Sequence, residues 1–262
     1  MLQLVGGLAV ARADGLLVGR SIGTRKARTL LALLGVAGSG LVTMDRIAEV
    51  LWSAAPPRSP ERNVAALVSR LRATLGAGVI VGGPPGYRLA GRLSTDLHVG
   101  GASVTDAEAR LAASDARTAW RSARRALDLL DRGRVLADLP DADWVDQART
   151  DHQALLRRAR HSFACAALQL GQWRRALDSA EAALGADRYD EAACRLLMHA
   201  YRAIDEPVRA LLAYERLRST LAADLGTDPA PVTQRLHVAI LRCSPVRPPA
   251  RNQPAYQQRD QP

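Results

Sequence analysis

Three stretches of this chain fall into register with one another. Setting Ser114 of "SDARTAWRSARRALDLL", Gly171 of "GQWRRALDSAEAAL" and Asp205 of "DEPVRALLAYERL" at one position superposes Ala119, Ala176 and Ala210, and places Ala126-Leu127 on Ala183-Leu184. The step from the second to the third is 34 residues, the tetratricopeptide period, and the recurring small residues stand where paired antiparallel helices must approach closely. A helix pair of this kind cannot bury its apolar face alone, so it has to stack on a neighbour. The pattern predicts an all-α, tetratricopeptide-like domain over residues 96–243.

The first 92 residues follow a different rule. "MLQLVGGLAVARADGLLVG" alternates leucine and β-branched residues with Gly and Asp-Gly, which predicts a small sheet of short strands. Thr24 is placed to cap a first helix, "RKARTLLALLGVAGSG", with Ala27, Leu30, Leu31 and Leu34 at helical spacing. Thr43 heads a second, "MDRIAEVLW", whose apolar face is Ile47, Val50 and Leu51. "AAPPRSP" interrupts, and Ser59 with Pro60 then opens a third. "VIVGGPPGYRLA" reads as a hairpin about a Gly/Pro turn. Strands, three helices and a hairpin, in that order, make a winged helix-turn-helix. The fold class is thus mainly α with a small β component: a winged helix over 1–92, the helical domain over 96–243, and a tail over 244–262. The tail, with five prolines in 19 residues, is expected to be disordered.

Charge separates the two domains. Residues 1–92 hold 12 Lys+Arg against 4 Asp+Glu, a net +8, whereas residues 93–243 hold 21 of each. A basic excess confined to the winged helix points to a polyanionic partner bound there. Only one of the 36 basic residues, Lys26, is a lysine, which a GC-rich genome explains more simply than 35 separate demands for guanidinium geometry.

The third helix concentrates the argument. Val64, Leu67, Val68, Leu71 and Leu75 recur at intervals of three and four and form an apolar stripe. The opposite face carries Arg62, Asn63, Ala66, Ser69, Arg70 and Ala73, with Arg72 beside it. An α-helix fits the major groove, and the arginine fork matches guanine O6 and N7, whereas phosphate requires only charge. Arg70 and Arg72 are candidates for base contacts, and Ala66 is small enough to let the helix lie deep or touch a thymine methyl.

Other chemistry finds little support. The sequence contains no GxxxxGK[ST], HExxH or GxGxxG, and His98, His152, His161, His199 and His237 are scattered. No catalytic residue, cofactor or metal site is expected, and the chain is read as a non-enzyme. Cys165, Cys194 and Cys243 lack CxxC spacing and are expected to be buried free thiols. Asp138, Asp141, Asp143 and Asp146 form an acidic cluster without the glycine and terminal glutamate of an EF-hand; it reads as a solvated loop or as part of a partner surface. No apolar run is long enough to span a bilayer, and no signal peptide opens the chain, so a cytoplasmic location is expected.

"LWSAAPPRSPERNVAALVSRLRATLG…PPGYRLA" resembles the OmpR-type DNA-binding domain of the Streptomyces antibiotic regulatory protein (SARP) family. "RGRVLADLPDADW", "LMHAYRAIDEPVRALLAYERLRSTLAADLGTDPAP" and "LHVAIL" resemble the bacterial transcriptional activation domain that follows it in that family. The resemblance implies a pathway-specific transcriptional activator of a secondary-metabolite (antibiotic) gene cluster. Such an activator binds direct repeats near a promoter's −35 element as head-to-tail pairs and recruits RNA polymerase holoenzyme. It further implies base contacts by Ala66, Ser69, Arg70 and Arg72, and phosphate contacts by Trp52 and Arg62. Arg25, Lys26 and Arg88 join these as phosphate contacts.

Two departures accompany the resemblance. Gly83 stands where the wing often carries a basic residue, which weakens minor-groove reading. "TDLHVGGASV" lacks the aromatic residue usual after the Asp-Leu pair, which implies looser packing between domains. With neither receiver, ATPase nor phosphopeptide-binding module in view, the short architecture is expected. The alternative is a tetratricopeptide-like adaptor or small-molecule sensor with a vestigial DNA-binding domain, and a small-molecule effector fits either reading.

Overall fold

Residues 1–243, apart from positions 14, 54 and 92, are described by the computed structural model; the tail expected over 244–262 and the side chain of Cys243 lie outside the described residues. The chain opens with β1 (Leu2–Gln3), β2 (Ala9–Arg12) and β3 (Gly15–Val18), an antiparallel sheet in which Leu2 faces Val10 and Val10 faces Leu17. Helix α1 (Arg25–Ala37) is capped by the Thr24 hydroxyl, which accepts from the Ala27 N–H at 3.3 Å. Its apolar residues Leu30, Leu31 and Leu34 are wholly buried.

Strand β4 (Val42–Thr43) leads into α2 (Met44–Trp52), and a turn leads on to α3 (Pro60–Leu75). Helix α3 starts at the proline and stops before Gly76, as expected. Ser59 holds the N-cap position but its side chain makes no capping hydrogen bond, so Pro60 alone marks the start. Strands β5 (Ile80–Gly83) and β6 (Gly86–Leu89) form the wing around Pro84-Pro85 and complete a second sheet in the order β4-β6-β5. A Cβ on Gly86 would stand 2.3 Å from the Val42 carbonyl oxygen, and one on Gly82 would stand 2.2 Å from the Gly86 carbonyl oxygen. Only glycine lets these strands approach so closely.

The remainder is helical: α4 (Asp96–Ala112), α5 (Ala116–Leu130), α6 (Asp143–Gln169), α7 (Trp173–Ala186), α8 (Glu191–Ala203), α9 (Pro207–Leu225) and α10 (Pro231–Cys243). Each packs on the next, as in a stacked array of helix pairs. The residues that the sequence register aligned, Ser114, Gly171 and Asp205, all turn the chain in the left-handed region, at φ of 59°, 69° and 58°. Ala119, Ala176 and Ala210, each five residues on, are completely buried. The repeat is therefore one structural unit used three times: helix, left-handed turn, helix.

The expectation of a loose junction between domains is overturned. Leu2, Leu4 and Leu34 share one buried cluster with Val104, Leu130, Val135, Leu136 and Leu156 of the helical domain. Backbone pairing reinforces it: the Leu136 N–H donates to the Leu4 carbonyl at 2.8 Å, and that of Ala137 to Gly6 at 2.8 Å. At its centre the Asp96 carboxylate, fully buried, accepts from the N–H groups of Leu4, Val5 and Leu97. The missing aromatic matters little because hydrogen bonds and leucines close the joint.

Candidate nucleic-acid interface

The face of α3 is built by its own periodicity. Val64, Leu67, Val68 and Leu71 are buried against α1, α2 and the wing, and Leu75 is half-buried. Arg62, Asn63, Ala66, Ser69, Arg70 and Ala73 are all exposed. This face thus presents two arginines, two small side chains, an amide and a hydroxyl to solvent, with no carboxylate among them. Ala66 leaves a shallow place between the longer side chains.

Arg72 departs from its expected place. It is half-buried, and its Nε donates to the Ile80 carbonyl at 2.9 Å. One donor of the guanidinium is thereby committed to holding β5 against the end of α3, which makes Arg72 a tie between that helix and the wing. Arg12 does similar work from β2, donating to the Thr74 carbonyl at 2.9 Å.

The first turn of α1 supplies further positive charge. Arg25 and Lys26 are exposed, and the turn contains no acidic residue. Cations at a helix N-terminus oppose the macrodipole, so their placement there adds nothing to helix stability. It creates instead a point where backbone N–H groups and two cations can meet an anion. Trp52 is half-buried against the core, and Lys26 Nζ lies 4.8 Å from the centre of its ring. The indole is thus at once a core residue and the platform on which Lys26 rests.

In the wing, Tyr87 is buried as a packing residue while Arg88, its neighbour, is exposed. Gly83 pairs with Gly86 at the base of a turn made of exposed Pro84 and Pro85, so the tip carries no cation. Sequence reasoning passed over Arg58, which is exposed in the turn just ahead of α3. The regional charge excess was the signal that could have found it.

Several other features resolve as structural. Gly19–Gly23 has Gly-x-Ser-x-Gly spacing, but Ser21 sits in a 3₁₀ turn with its hydroxyl donating to the Val18 carbonyl at 2.7 Å and accepting from the Val18 N–H. The acidic cluster is exposed and at the same time braces the fold: Asp138 accepts from the Leu8 N–H, and Asp141 and Asp146 both hold Arg149, whose side chain is only 10% exposed. Asp143 is exposed at the start of α6, where the macrodipole favours an acid. His152 is buried with Nε2 2.8 Å from the Leu130 carbonyl, and burial lowers its pKa, so the neutral ring donates there. Cys194 is buried and Cys165 half-buried, both as free thiols. Among the described residues no cluster of His, Cys, Asp or Glu could hold a metal, and no helix is long and apolar enough to cross a membrane.

Comparison with known proteins bears on both domains. The family model described as the bacterial transcriptional activator domain matches residues 95–241. Transcriptional regulatory protein MoaR1 of Mycobacterium tuberculosis is 34% identical over 239 residues, which span 86% of this chain and 75% of that protein. Regulatory protein AfsR of Streptomyces coelicolor is 31% identical over 225 residues, 85% of this chain but only 22% of that longer protein. The solved structure of Mycobacterium tuberculosis EmbR, in complex with a low-affinity phosphopeptide, superposes with a TM-score of 0.81 at 31% identity, covering 94% of this chain and 66% of that one.

Proposed function

Because the chain belongs to the SARP family of DNA-binding transcriptional regulators and carries the bacterial transcriptional activator domain, we propose that it is a pathway-specific activator of a secondary-metabolite gene cluster. Helix α3 enters the major groove with Ala66, Ser69 and Arg70 toward base edges. Arg62, Arg25, Lys26, Arg88 and the Lys26–Trp52 pair lie along the phosphates. Arg72 keeps the wing at its angle to α3. The observation that supports this reading is the exposed face of Arg62, Asn63, Ala66, Ser69, Arg70 and Ala73, which holds no carboxylate and is backed by the buried Val64, Leu67, Val68 and Leu71.

Two copies bind direct repeats near the −35 element as a head-to-tail pair. Repeats one helical turn apart put both on the same face of the duplex, and each raises the effective concentration of the other. The electrically neutral helical domain serves as the platform for the neighbouring protomer and for RNA polymerase holoenzyme. The protein works in the cytoplasm on the nucleoid, with neither cofactor nor catalytic step.

The test is selection of bound sequences from random DNA at physiological salt, repeated with two variants. The wild type recovers a short direct repeat spaced by about 11 base pairs. Arg70→Ala lowers specific affinity by about 1–3 kcal/mol and relaxes preference at one base position, whereas Arg62→Ala reduces the salt slope by about one without altering preference. Equal losses on selected and random DNA for Arg70→Ala would refute direct readout by that side chain.

A further inference from the structure

A cleft lies in the helical domain, away from α3. Its walls come from α4, α6, α7 and α8, and it encloses about 760 Å³, within the range of sites that hold drug-sized molecules. Leu111, Leu168, Trp173 and Leu196 supply an apolar lining. The charges around it are unevenly matched. Arg158 is neutralised by Glu108, which it holds through two hydrogen bonds of 2.9 and 2.7 Å. His161 is bonded to Asp190 at 2.7 Å.

Arg195 has no such partner. Its hydrogen bond goes to the Thr233 hydroxyl at 2.9 Å, which donates in turn to the Glu191 carboxylate at 2.6 Å, and among the described residues no carboxylate pairs with the guanidinium directly. His199 stands one turn further along the same face of α8, at the mouth of the cleft, also without a hydrogen-bond partner among the described residues. A guanidinium with no direct ion pair and an imidazole beside it, facing an indole and three leucines, select for a negative group on an apolar body.

We propose that this cleft binds a small organic anion, a carboxylate or sulfonate carried on a flat apolar ring. The acid group meets Arg195 and His199, and the ring lies against Trp173 and Leu168. The site is independent of the way α3 meets DNA, so it stands or falls separately from the function proposed above.

The experiment uses the full chain and two fluorescent probes of similar shape, anionic 8-anilinonaphthalene-1-sulfonate and neutral N-phenyl-1-naphthylamine. The wild type binds one sulfonate probe per chain. Arg195→Gln weakens it by about tenfold or more, the effect of losing a charge-assisted contact, and leaves the neutral probe unchanged. Thr233→Val cuts the bonds of that hydroxyl to both Arg195 and Glu191 but keeps the charge of Arg195, and it retains both probes. The proposal is overturned if the wild type does not bind the sulfonate, if Arg195→Gln binds it as tightly as the wild type, or if Thr233→Val loses it to the same extent.

Discussion

Removing the Asp96 side chain tests whether the joint between the domains rests on its acceptors or merely tolerates its charge. The carboxylate is fully buried and takes hydrogen bonds from three backbone N–H groups, those of Leu4 at 3.0 Å, Val5 at 2.9 Å and Leu97 at 2.9 Å. Asp96→Ala leaves all three without an acceptor in a site closed to water, at about 1–3 kcal/mol each. Against this stands the relief of a buried charge: desolvation pushes the Asp96 pKa up despite the opposing pull of those same N–H groups. The net loss should be about 3–5 kcal/mol, a fall of about 6–20 °C in melting temperature for a chain of this size.

Asp96→Asn keeps one acceptor and the shape, and should lose only about 1–2 kcal/mol. The folded-state pKa being raised, the Asp96 contribution is fully present below the unfolded carboxyl pKa and is lost as pH rises through the folded one. The gap between wild type and the alanine variant should therefore narrow from the acid side upward. Denaturant melts followed by far-ultraviolet circular dichroism across that pH interval measure both effects. An asparagine variant as stable as the wild type, or more so, would refute the reasoning, because burial of charge would then outweigh the acceptors.

Three further outcomes follow from other parts of the molecule. Arg72→Ala should cost about 0.5–1.5 kcal/mol of stability through loss of the tie to Ile80, and should lower DNA affinity with the selected sequence unchanged; a changed base preference would return Arg72 to the bases. Gly86→Ala forces a Cβ to 2.3 Å from the Val42 oxygen, so β6 must part from β4; a thermal melt should fall by several degrees and DNA binding weaken with it. Burial pushes the Cys194 thiol up to about 12, which leaves far less thiolate than an ordinary cysteine holds at pH 8. Mass spectrometry of the folded chain after iodoacetamide treatment should find Cys194 unmodified, and modification under denaturing conditions only.

Local chemistry made much of the molecule legible in the sequence. The apolar stripe of α3 and the proline and glycine at its ends are properties of contiguous residues, so its bounds and exposed face could be read directly. The three left-handed turns announced themselves through the alanines that follow them. What escaped notice depends on residues far apart in the chain. Asp96 meets Leu4 across 92 positions, and Asp138 meets Leu8 across 130. Neither pairing leaves any periodic trace. The same limit applies to Arg72: helical phase put it beside the exposed face, but the carbonyl that occupies it comes from the following strand.

The sealed joint has a consequence for promoter architecture. A protein whose two halves could swivel would tolerate its binding site on any side of the duplex, since the free half could reach around. Here the loop at 135–138, the Asp96 carboxylate and the shared leucines tie the winged-helix domain to the helical domain. On the docking proposed for α3, the outward surface then points wherever the groove directs that helix. Half a turn of inserted DNA, about five base pairs, carries that surface to the opposite side of the helix, and a full turn restores it. Rotational phase along the promoter, rather than distance alone, then becomes part of what the regulatory sequence must encode.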